Sequence, residues 1–125
     1  MKILVVDDEQ DITTLFQQRF RREIREEIFD FSFACSGEAA LEFLKKHDHE
    51  AILILSDINM PGMSGLELLR RIRVNTPTPP PVIMMITAYS DTENYEQAMK
   101  LGADDFLNKP LDFTSLKDKL LNIQL

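Results

Sequence analysis

A chain of 125 residues, 44% hydrophobic and 28% charged, is sized for one domain around one core and leaves no room for a second. Its net charge of -7 argues against a nucleic-acid surface, which needs a basic patch, and favours cations near the acidic groups. A single cysteine excludes a disulfide framework or a thiolate metal site and fits a reducing compartment. With no apolar run of membrane-spanning length, a cytoplasmic location without membrane contact is expected.

The predicted elements alternate strand and helix at βα spacing, five of each. The first strand, Lys2 to Val6, runs into Asp7 and Asp8. Ile12, Leu15, Phe16, Phe20, Ile24 and Ile28 then recur at helical spacing and predict one long first helix. Within it, Glu23, Glu26 and Glu27 interleave with Arg19, Arg21, Arg22 and Arg25, the pattern of a solvated helix face rather than a binding patch. In the second strand, Asp30 to Cys35, Phe31, Phe33 and Cys35 alternate with Ser32, as on an edge strand, which makes Cys35 a buried small hydrophobe. The second helix starts near Ser36 and ends in the polar stretch His47 to Glu50, where His47 and His49 read as exposed loop residues.

The third strand, Ala51 to Ser56, leads into Asp57. Ser64 caps a third helix with Leu66, Leu69 and Ile72 inward and Arg70, Arg71 and Arg73 near its carboxyl end. Thr76 to Pro81 is a stiff spacer in which Pro77 and Pro80 form a PxxP pattern. The fourth strand, Val82 to Ile86, runs into Thr87, and a fourth helix covers Thr92 to Leu101. The fifth strand, Asp105 to Leu107, leads to Asn108, Lys109 and Pro110, and the fifth helix is Phe113 to Ile123. Strands 1, 3 and 4 are continuous apolar runs, as central parallel strands covered on both faces are. The fold class is a doubly wound α/β sandwich.

In a parallel sheet the carboxyl ends of the strands share one edge, so Asp7, Asp8, Asp57, Thr87 and Lys109 converge where such sheets bind ligands. Three carboxylates at short range cost energy unless a cation or a raised pKa relieves them; a hard divalent ion is the natural relief, and Mg²⁺, which needs only one or two carboxylates and keeps several waters, suits the site. A metal, an ammonium and a hydroxyl together match the oxygens of a phosphoryl group in transfer, and an aspartate among them can be the nucleophile that forms an acyl phosphate. A haloacid-dehalogenase-type hydrolase also pairs a nucleophilic aspartate with Mg²⁺, but it wants a second aspartate two residues on, where Asn59 stands.

The segments Val5-Val6-Asp7-Asp8-Glu9, Asp57-Ile58-Asn59-Met60-Pro61-Gly62-Met63-Ser64-Gly65 with Glu67, Ile86-Thr87-Ala88 and Gly102 to Pro110 occur in order and with set spacings. By these the chain resembles a response-regulator receiver domain of two-component signalling over all of its residues. The resemblance implies a flavodoxin-like five-stranded parallel sheet in the order 2-1-3-4-5, five helices, and a receiver domain spanning 1–125 with no output domain in this sequence.

It also implies that Asp57 accepts a phosphoryl group from a sensor histidine kinase, a phosphotransfer protein or a small phosphodonor. Asp8 and Asp57 would hold Mg²⁺, or Mn²⁺ in its place, through their carboxylates, Asn59 through its backbone carbonyl, and Asp7 largely through water. Thr87 would bond the phosphoryl group, and Lys109 would pair with Asp57 and then with the phosphate, next to a cis bond to Pro110. Thr87 and Phe106 would form the switch that alters the face of helix 4, strand 5 and helix 5, with Tyr95, Met99, Leu101 and Leu111, toward an output domain or protein partner. Asn59, Ala88 and Tyr89 would tune the phosphate lifetime, and dimerisation on phosphorylation is a further expectation. On this reading the chain is no enzyme beyond catalysing its own phosphorylation and dephosphorylation, and binds no nucleic acid directly.

Overall fold

The computed structural model describes residues 1–47, 50, 52–75, 81–88 and 92–123. In chain order its elements are β1 (Lys2–Val6), α1 (Asp11–Arg19), α2 (Arg21–Arg25), β2 (Asp30–Ala34), α3 (Gly37–Lys46) and β3 (Ile52–Asp57), followed by α4 (Gly65–Asn75), β4 (Val82–Thr87), α5 (Thr92–Lys100), β5 (Asp105–Asn108) and α6 (Phe113–Leu121). The strands form one parallel sheet in the order β2-β1-β3-β4-β5, the flavodoxin-like arrangement, with β2 at an edge. Predicted sites at Ala51, His49, Pro77, Pro80 and Tyr89 lie outside the described residues.

Alternation along each central strand divides the core in two, because successive side chains leave a strand on opposite faces. Leu4, Val6, Ile52, Ile54, Ile83 and Met85 pack on one face against Ala40 of α3, Leu68, Leu69 and Ile72 of α4 and Ala98 of α5. Ile3, Val5, Leu53, Leu55, Met84 and Ile86 pack on the other against Phe16 and Phe20 and against Leu116 and Leu120 of α6. Each such fully buried side chain contributes about 1.5–3 kcal/mol, so both faces hold the sheet and with it the positions of its strand ends.

The predicted long first helix is two helices, giving six among the described residues rather than five. A straight helix over 12–28 would be about 25 Å long, against about 17 Å for the five-residue β1 beneath it. The helix breaks at Phe20 (φ -112°, ψ 25°), whose ring is buried against Phe29, Phe31 and Phe113. The chain then returns through Ile28 and Phe29, whose N–H groups donate to the Glu23 carbonyl. Two further expectations change in this region. Glu23 is buried on α2 and pairs with Lys117 of α6 at 3.2 Å, so the face is not wholly solvated. Cys35 is exposed, since β2 stops at Ala34, whose carbonyl takes the Asp7 N–H (3.1 Å), and the chain turns at once into the Ser36 cap of α3.

At the far end of the sheet from the carboxyl edge, Arg73 ties three segments together. Its guanidinium donates to the carbonyls of Gly102 (2.9 Å) and Pro81 (2.8 Å) and to the Asp104 carboxylate (2.9 Å). The same Asp104 oxygen accepts from the Ile83 N–H at 2.8 Å. His47, expected as an exposed loop residue, is half-buried, because its ring stacks on Phe43 at 4.2 Å and Nδ1 lies 3.2 Å from Glu50.

Candidate functional site

The carboxyl ends of β1, β3, β4 and β5 place the charged and hydroxylic residues together. Asp7 and Asp8 follow β1, Asp57 and Thr87 close β3 and β4, and Lys109 follows β5. Asp7, Asp57 and Thr87 are buried while Asp8 is exposed, so the cluster has a closed floor and an open acidic rim. One carboxylate oxygen from each of Asp7, Asp8 and Asp57 lies within 4.8 Å of the other two, a spacing that fits a cation between them. Nζ of Lys109 stands 3.3 Å from Oδ2 of Asp7 and 3.5 Å from Oδ2 of Asp57.

Backbone bonds set these side chains. The Lys109 N–H donates to the Thr87 carbonyl (2.7 Å), the Ile58 N–H to the Ile86 carbonyl (2.9 Å), and the Glu9 N–H to Oδ1 of Asp7 (2.9 Å). The loop after Asp57 folds back so that the Gly65 N–H donates to the Ile58 carbonyl at 2.8 Å. A Cβ at Gly65 would fall on the Asp57 carbonyl oxygen and against the Ile58 backbone, so the return needs glycine there. Ser64 begins α4 by accepting the Glu67 N–H (3.2 Å). The Glu67 carboxyl is held down at about 2 by Arg70 and Arg71 on the exposed side of the helix.

The electrostatics follow from burial. Burial pushes the Asp57 carboxyl above the ordinary aspartate value and the charge of Asp7 adds to the push. Lys109 and the Asn59 backbone N–H oppose this without cancelling it. Burial alone would lower the Lys109 pKa, but the Asp57 and Asp7 carboxylates outweigh it and hold the ammonium above its usual value. The floor therefore carries two acids on one ammonium, a local excess of negative charge that a divalent cation would relieve.

The remaining predicted residues are placed as follows. Asn59 and Ala88 are exposed beside the cluster, and the Lys109-Pro110 bond is cis. Phe106 is half-buried on β5, with its ring edge-on to Tyr95 of α5 at 5.4 Å. Tyr95 and Met99 are exposed on the same helix. Sequence reasoning missed the Asn59 N–H as a partner of the Asp57 carboxyl and the steric need for Gly65. Their signal lay in the motif following Asp57, which gives residue types without the direction of a backbone N–H.

The family profile described as "Response regulator receiver domain" matches residues 3–121. The response regulator ArlR of Staphylococcus saprophyticus is 36% identical over 92% of this chain, which spans 48% of that protein's length. The chemotaxis protein CheY-3 of Vibrio cholerae is 35% identical, covering 96% of this chain and 88% of its own length. Among solved structures, the response regulator protein TrrA of Thermotoga maritima, crystallised in complex with Mg²⁺ and BeF, aligns with a TM-score of 0.75 at 34% identity over 96% of each chain. The chain belongs to the response regulator receiver domain family, the receivers of two-component systems, with the flavodoxin-like fold of that family. No helix among the described residues is long and apolar enough to cross a membrane.

Proposed function

We propose that this chain is a phosphoacceptor switch in which Asp57 receives a phosphoryl group from the phosphohistidine of a sensor histidine kinase or phosphotransfer protein. The observation that carries the reading is the Lys109 ammonium set between two buried carboxylates, with Asp8 at the rim. In the transfer, a carboxylate oxygen of Asp57 forms the new O–P bond while the P–N bond of the donor breaks, and the imidazole leaves with the electron pair and takes up a proton. Asp57 must be ionised to attack, and the ammonium of Lys109 favours that form against the opposing effect of burial.

The donor set of Asp7, Asp8, Asp57 and Asn59 fits a hard oxygen-bound ion, and Mg²⁺ or Mn²⁺ held there would neutralise charge on the phosphoryl oxygens. The TrrA complex with Mg²⁺ and BeF supports the same assignment for this chain. Lys109 moves its pairing from Asp57 to the phosphoryl oxygens, and the Thr87 hydroxyl bonds the third. Thr87 drawn toward the phosphoryl group leaves space behind it, and Phe106, packed against the core beside Tyr95, turns inward to fill it. The altered face of α5, β5 and α6 then regulates an output domain or protein partner, and dimerisation of receivers is one form of that output. The chain works in the cytoplasm and turns over no external metabolite. Ala88, Asn59 and Tyr89 set the rate of hydrolysis by controlling the approach of water to phosphorus.

The test is direct: incubation with Mg²⁺ and acetyl phosphate gives one base-labile phosphoryl adduct by intact mass, and Asp57→Asn abolishes it. An adduct that survives the substitution moves the nucleophile elsewhere.

A further inference from the structure

A cleft of about 810 Å³ lies away from the acidic cluster, along the open side of β2. Among the described residues β2 pairs only with β1, so the N–H and C=O groups on its outer side have no strand partner there. The cleft is floored by Ile24, Phe29, Phe31 and Phe33 and flanked by Arg21 and Arg25. Both arginines are exposed, and neither makes an ion pair or side-chain hydrogen bond among the described residues. Lys2, also at the cleft, is already neutralised by Glu50 at 2.7 Å. Glu27 and Asp30 line the same cleft and pair with neither arginine.

We propose that this groove docks an extended segment of a partner protein that carries carboxylates at alternate residues, added to the sheet beside β2. Three features of the groove support that occupant. The open strand edge offers main-chain bonds to an extended chain, whatever its side chains. The aromatic floor offers apolar contact to the methylene groups of the side chains that face it. The third feature is spacing: Arg21 and Arg25, one helical turn apart, are separated by about 6 Å along α2, and side chains at i and i+2 of a strand by about 6.6 Å. Two carboxylates of one strand face can therefore meet both guanidiniums at once, on a chain whose net charge of -7 otherwise repels acidic partners. The segment would thus be recognised on a surface separate from the α5, β5 and α6 face.

The probe is an acetylated, amidated hexapeptide of alternating glutamate and valine, followed by amide shifts and fluorescence anisotropy on the full chain. Saturable binding is expected, with shifts confined to residues 21–34, at least tenfold weaker for Arg21→Gln/Arg25→Gln, and lost for the same peptide N-methylated at alternate residues. Circular dichroism and uptake of phosphate from acetyl phosphate check that the double variant is folded. Any one of four results overturns the proposal: no binding below millimolar peptide, equal binding of a lysine-valine peptide, undiminished binding by the double variant, or sedimentation showing that two copies of the chain pair through β2 instead.

Discussion

Nζ of Lys109 stands 3.5 Å from Oδ2 of Asp57, and the backbone bond from Lys109 to the Thr87 carbonyl (2.7 Å) holds the lysine's strand end beside that of β4. The ammonium is thus both the counter-ion of the Asp57 carboxylate and a neighbour of the hydroxyl residue that closes β4. Four expected outcomes follow from this cluster and from the Arg73 tie.

Replacing Lys109 by methionine leaves the carboxylates of Asp7 and Asp57 without a counter-charge. Breaking a buried pair costs roughly 3–5 kcal/mol. With the lysine side chain 21% exposed, a loss of about 2 kcal/mol is expected at neutral pH by urea denaturation. The loss should shrink on acidification, because protonation of Asp57 then removes the repulsion.

Asp57→Asn should stabilise the protein. The folded Asp57 carboxyl titrates above its unfolded value, so the native state binds this proton more tightly and stability falls as pH rises through that window. Asparagine removes the term. A higher Tm, by a few degrees, is expected at pH 7, with the difference from wild type vanishing as pH falls toward the unfolded value near 4. An unchanged difference at low pH would assign the gain to packing instead.

Mg²⁺ should raise Tm where NaCl of equal ionic strength does not. Linkage gives about 2.7 kcal/mol at a hundredfold excess over Kd. Asp8→Ala, which removes the exposed acid at the rim, should weaken the effect without unfolding the chain, as followed by differential scanning fluorimetry.

Arg73→Met removes donors from two carbonyls and from Asp104, which must still serve the Ile83 N–H. The expected cost is about 2 kcal/mol. Phosphate uptake from acetyl phosphate should be retained, since the tie lies at the opposite end of the sheet from Asp57.

Much of this architecture is legible in the residues. Val82 to Ile86 and Ile52 to Leu55 are apolar without interruption because both faces of a central parallel strand are covered, and the polar residue ending each run marks the functional edge. The break at Phe20 is not legible, since Ile12 to Ile28 keeps helical spacing throughout and only the length of the sheet beneath forces the turn. Cys35 continues the alternation of Phe31 and Phe33 on paper, but the bond between Ala34 and Asp7 ends the strand one residue earlier. Glu23 looks like its neighbours in sequence, and its burial depends on Lys117, which lies far along the chain. The cluster of Asp7, Asp57, Thr87 and Lys109 could be named from strand ends alone, whereas the Asn59 N–H that meets Asp57 depends on how one loop turns.

The loop return at Gly65 closes that position to mutational drift. Every other amino acid brings a Cβ that would strike the Asp57 main chain, with no mobile group to yield. At Gly37, by contrast, the nearest atom is Sδ of Met63, which can swing aside, and the Cβ and Cγ of Met63 at 3.0 Å need give way by only a few tenths of an ångström to admit a small side chain. A saturation library screened for folding should therefore return an empty column at 65 and a populated one at 37, although both glycines look equally ordinary in the primary sequence.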